Sequence, residues 1–165
     1  GVQTCALPIS WFMPEEDQHL HSKQKFEDEL AALLGGYVSE KIKFGQVTTG
    51  ASNDLERASK LARSMVTEYG MSDLGPVIFG DRNREVFLGK DFGHVRNYSE
   101  DIASLIDKHV KKFIDAAYEK AETIIKSNKS TIENIATDLI KKETITESEF
   151  HKFFKDIKVP EKIPV

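Results

Sequence analysis

The chain is poor in the residues that would make several function classes easy to support. It has one cysteine, Cys5, so no intrachain disulfide and no cysteine-based metal site can be built, and a cysteine-free remainder fits a reducing compartment. It has no basic excess: the formal net charge is −4, which gives no electrostatic reason to bind nucleic acid, since neutralising phosphates needs a positive surface. No apolar run approaches the roughly 20 residues that span a bilayer. No G-x-x-x-x-G-K-[ST] occurs, so ATP cannot be held by a Walker loop. There is neither a repeat nor a low-complexity tract.

What is present is one domain's worth of globular sequence. The 165 residues are 39% hydrophobic and 30% charged, enough to bury a proper core. The opening "GVQTCALPIS" carries no charge and no period. It lacks the basic start of a secretory signal. Residues 1–9 also resemble a translated sequencing adapter and are read as non-native. Residues 10–155 then form the domain, and 156–165, with two prolines and alternating charges, a frayed tail.

Along the domain, "WFM" reads as a short strand-like piece stopped by Pro14. Ser22 is placed to cap a helix whose stripe is Phe26, Leu30, Leu33, Leu34, Tyr37, Val38 and Ile42. Gly35 and Gly36 fall inside it, where each costs roughly 1 kcal/mol against alanine. Close approach of a neighbouring helix is the expected reason. "FGQVTTGAS" is a loop before a helix from Ser52 to Tyr69, ended by Gly70. "VIFG-DRNR-EVFLG" reads as a β-hairpin. Ser99 caps a long helix striped by Ile102, Leu105, Ile106, Phe113, Ala117, Ala121, Ile124 and Ile125. Capping boxes at Ser130–Glu133 and Thr146–Glu149 open two more helices. The expected fold is mainly α with one small β-hairpin.

One residue resists this pattern. At about 100° per residue, Ala58, Leu61 and Met65 lie within about 40° of Asp54, while Glu56, Lys60 and Arg63 lie on the other side. A carboxylate on an apolar stripe must be protonated, paired or bound to metal. A first-turn acid can also serve the helix dipole, and Ser52 or Asn53 could cap equally well. The wheel alone leaves both readings open.

"TTGASNDLERASKLARSMVTEYGMSDLGPVIFG", with "ALLGG" before it and "EVFLGKDFG" and "YSEDIASLID" after it, resembles the peptidase domain of the FtsH-type ATP-dependent zinc metalloproteases. The likeness runs from about Trp11 to Phe154. It implies that Asp54 is the third protein ligand of a catalytic zinc. The other two would be histidines of a His-Glu-x-x-His helix whose glutamate is the general base. That motif is not in the chain; by resemblance it would precede the "WFMPEED" segment, so no catalytic base is assigned here. Thr48, Thr49, Gly50 and Asn53 would shape the start of the ligand's helix, and Glu40 is read either as a residue that steadies the ligand from behind or as a surface charge. Two departures bear on loop geometry: "MSDLGP" is one residue short of the family spelling, and "YVSE" keeps only Glu40 of an acidic pair.

The resemblance further implies unfolded protein substrates, an ATPase module elsewhere in the polypeptide that binds the ATP, a homo-hexamer, and a place on the cytoplasmic face of a bacterial inner membrane or its organellar equivalent. The 165 residues alone are expected to bind zinc weakly or not at all and to hydrolyse nothing. The competing expectation is a non-catalytic oligomerisation module. The histidines add little: His19 and His21 form an H-x-H pair in a surface turn, and His94, His109 and His151 are isolated or packing positions.

Overall fold

The computed structural model describes residues 20–80 and 98–154, and these are helical with no strand among them. Five α-helices occur in the order α1 (Lys23–Phe44), α2 (Ser52–Thr67), α3 (Glu100–Ser127), α4 (Lys129–Lys142) and α5 (Glu147–Lys152), with a 3-10 turn at Thr49–Ala51 between α1 and α2. The mainly α expectation holds. The hairpin's second strand lies outside the described residues, as do the "WFM" piece, His19 and His94.

The chain divides into two compact units, with the boundary after Glu122. In the first, α1 and α2 pack against each other. α1 starts where the sequence places it: Ser22 is extended, and its hydroxyl accepts from the Lys25 N–H. It ends at Gly45, whose φ of 68° is left-handed and whose N–H bonds the Lys41 carbonyl, a cap that glycine makes without a Cβ penalty. α1 buries Phe26, Leu30, Ala31, Leu33, Leu34 and Val38, an arc of about 160°. Facing residues on α2 are Ala58, Ala62, Met65 and Val66, all fully buried. Small alanines one turn apart let the two backbones come close.

The glycine pair does not serve that crossing. A Cβ built on Gly35 or Gly36 meets nothing within 4 Å, so the expected close approach of a neighbour is absent among the described residues. Gly70 is different. Its φ is +61°, and a Cβ there would sit 3.2 Å from the Pro76 Cα. α2 stops at Thr67, two residues before the expected Tyr69, and the chain turns back so that the Phe79 N–H bonds the Thr67 carbonyl.

α3 is capped by Ser99, whose hydroxyl accepts from the Ile102 N–H at 3.3 Å. Of its expected stripe only Ile106, Ala117 and Ala121 are buried; Leu105 and Ile124 are exposed. In the second unit, α4 begins at Lys129, before the expected box. Asn128 donates its side-chain amide to the Ile124 carbonyl, and its own carbonyl accepts from Ile132. Ser130 therefore already lies in the helix and cannot adopt the extended conformation that an N-cap needs. Thr146 and Glu149 form the expected box in full.

Candidate functional site

The loop that delivers Asp54 is held at its other end by α1. Glu40, near the end of that helix, accepts the Thr48 N–H at 2.8 Å on one carboxylate oxygen and the Thr48 hydroxyl at 3.0 Å on the other. The same hydroxyl oxygen accepts the Gly50 N–H at 3.1 Å. Thr48 is extended and caps the 3-10 turn. The Ser52 N–H bonds the Thr49 carbonyl, which carries that turn directly into α2. Glu40, Thr48 and Gly50 thus form one hydrogen-bonded relay that ends two residues before α2 begins.

Gly50 is there for space. A Cβ on it would lie 3.2 Å from the Thr48 hydroxyl and 3.5 Å from a Glu40 carboxylate oxygen. Thr49 and Asn53 are exposed and hold no such position. Ala51, the N-cap of α2, has no side chain to offer, and no side-chain cap bond forms there. Asp54 is the acidic residue of the first turn, where it favours the helix dipole.

Asp54 sits at the edge of its stripe rather than inside it. Its side chain is 33% exposed, and Arg57, one turn on, approaches to 4.0 Å. Ala58, Ala62 and Met65 behind it are fully buried. The carboxylate therefore has water on one side and the apolar stripe on the other. The i, i+3 spacing of Asp54 and Arg57 was visible in the sequence; the Glu40–Thr48 contact was not, because a loop of unknown shape separates them.

As a metal centre the described residues are incomplete. No group of three or more His, Cys, Asp or Glu side chains among them could hold an ion, and zinc sites take three or four protein ligands. Asp54 is a suitable donor, alone. The described histidines do not join it: His21 is exposed and lies against the Phe26 ring at 5.4 Å. His109 is half-buried on α3, and exposed His151 lies 3.6 Å from Glu147.

Comparison with known proteins adds what geometry cannot. The sequence profile of peptidase family M41 matches residues 3–153. The chain is 48% identical over 143 residues to the ATP-dependent zinc metalloprotease FtsH 1 of Thermoanaerobacter sp. (strain X514), covering 86% of this chain and 23% of that protein. It is 45% identical over 152 residues to the ATP-dependent zinc metalloprotease FtsH of Thermotoga maritima, covering 92% and 25%. With the protein of the same name from Kosmotoga olearia the identity is 49% over 147 residues, covering 88% and 23%. The chain thus spans about a quarter of the length of these relatives.

Proposed function

The chain belongs to peptidase family M41, and from that membership we propose that it is the Asp54-bearing part of a zinc metalloendopeptidase domain. The observation that carries the reading is the placement of Asp54: a half-exposed carboxylate in the first turn of α2, at the end of a loop fixed by Glu40 and Thr48. Asp54 would be one of three protein ligands to the zinc. Two histidines and a glutamate base from a His-Glu-x-x-His segment elsewhere in the polypeptide would complete the site. When bound, such a zinc lowers the pKa of its water and polarises the scissile carbonyl.

The part assigned to this chain is positional and electrostatic. Asp54 contributes negative charge and fixes one corner of the coordination. Glu40 holds Thr48, and Thr48 holds the turn from which α2 starts, so that the ligand's backbone is anchored before any metal arrives. The relatives' names, ATP-dependent zinc metalloproteases, support a wider activity of ATP-dependent proteolysis; binding of the ATP by a separate module belongs to the proposal. A hexameric, membrane-anchored assembly is part of the same proposal; among the described residues no helix is long and apolar enough to cross a membrane.

The test uses the polypeptide extended through its own gene to include a His-Glu-x-x-His segment and the ATPase module. Asp54→Asn should abolish degradation of an unfolded model protein while oligomer size and ATP hydrolysis stay as in the parent. Undiminished degradation by that variant would remove Asp54 from the site. Absence of the motif from the extended gene would favour a non-catalytic assembly module instead.

A further inference from the structure

α3 is held to α1 and α2 in an unusual way. Of its 28 residues only Ile106, Ala117 and Ala121 are buried, and two of those are alanines that bring little apolar area. Among the described residues its cross-contacts to α1 and α2 are mostly charged, beside an edge-on contact of the Tyr37 and Tyr118 rings at 6.4 Å. Asp107 accepts from Arg63 of α2 at 2.9 Å. Lys112 pairs with Asp73, just past the end of α2, and Lys120 pairs with Asp28 of α1. Two cation–aromatic contacts reinforce the α1 side: Lys23 lies 5.3 Å from the Phe113 ring centre and Lys41 5.0 Å from that of Tyr118. The sign of the charge on α3 changes along its length, negative at 107 and positive at 112 and 120, so the pairs also fix its direction and register.

We propose that residues 105–121 of α3 form a salt-sensitive strap across α1 and α2, in which the Arg63–Asp107, Asp73–Lys112 and Asp28–Lys120 ion pairs add to a narrow apolar contact at Ile106, Ala117 and Ala121. All three pairs are solvent-exposed on both sides, so dissolved ions screen them. The α1–α2 crossing, built on Leu30, Leu34, Val38 and Met65, is apolar and insensitive to screening. Raising ionic strength therefore loosens one helix of the unit and leaves the other two packed. Since α1 carries Glu40 and α2 carries Asp54, the strap would restrain the two helices that frame the ligand loop. The salt response rests on the pairs and does not depend on zinc.

Amide hydrogen exchange on the 165-residue chain tests this in sodium chloride at about 0.05 M and 0.5 M, between which the Debye length falls from roughly 14 Å to about 4 Å. Exchange across 105–121 should quicken about three- to tenfold at high salt, with residues 30–38 and 58–66 unchanged. A triple Asp28→Asn, Asp73→Asn, Asp107→Asn variant should exchange fast in α3 already at low salt and lose the salt response. The swap Arg63→Asp with Asp107→Arg should restore it relative to Asp107→Arg alone. An α3 rate that ignores salt, or a salt effect shared equally by all three helices, overturns the proposal. If the triple variant does not fold, the salt series on the parent chain still decides.

Discussion

At the scale of single residues, Thr48 is the one through which the loop before Asp54 is organised. Periodicity does not mark it, being one of two adjacent threonines in a polar loop, and only the family resemblance named it as a shaping residue; it both donates to Glu40 and accepts from Gly50. Glu40→Ala should cost about 1 kcal/mol in urea unfolding, and Thr48→Val a similar amount through the lost cap, following the usual worth of such bonds. An unchanged midpoint in both variants would mean the relay holds nothing. Gly70→Ala should cost more, about 1–2 kcal/mol, because a positive φ and the Pro76 Cα both oppose a side chain there. Asp54 was legible as an anomaly from helical periodicity alone. Its real setting at the rim, with Arg57 in reach, was not, because a wheel gives angle and says nothing of depth.

At the scale of elements, local chemistry was readable and tertiary chemistry was not. Ser22, Ser99 and the Thr146–Glu149 box act within three or four residues of themselves, so the sequence carries all they need. The Ser130–Glu133 box fails because α3 runs on to Ser127 and leaves only Asn128 as a joint. The glycine pair in α1 invited a packing explanation, and no described residue comes within 4 Å of a Cβ built on either. Gly35→Ala or Gly36→Ala should therefore each stabilise this chain by about 0.5–1 kcal/mol, the ordinary helix-propensity gain; a loss in thermal unfolding would place a neighbour over them. α5 offers a pH test. Its Glu149 is held at about 2, first by the Thr146 N–H and then by Lys142 and the Thr146 hydroxyl, against an ordinary 4.5. A lowered carboxyl value stabilises the folded form above pH 4.5, and that contribution fades as pH falls toward 2. Amide chemical shifts around Thr146 should follow this titration, and Glu149→Gln should abolish it.

At the scale of the whole molecule, composition ruled out an intrachain disulfide and gave no electrostatic reason to expect nucleic acid. Periodicity supplied most of the helices, and one long motif supplied the family. What pattern could not supply was how α3 is attached, since Arg63 and Asp107 are 44 residues apart and nothing in either's neighbourhood names the other. The same limit applies to zinc. One carboxylate does not make a site, and the 165-residue chain should retain zinc only substoichiometrically after dialysis. The most direct measurement is zinc content of the polypeptide extended to include the proposed His-Glu-x-x-His segment, by elemental analysis of parent and Asp54→Asn after the same dialysis. The account predicts about one tightly held zinc per parent chain and a loss of most of it in the variant, as removal of one of three protein ligands requires. Equal zinc in both proteins would contradict it.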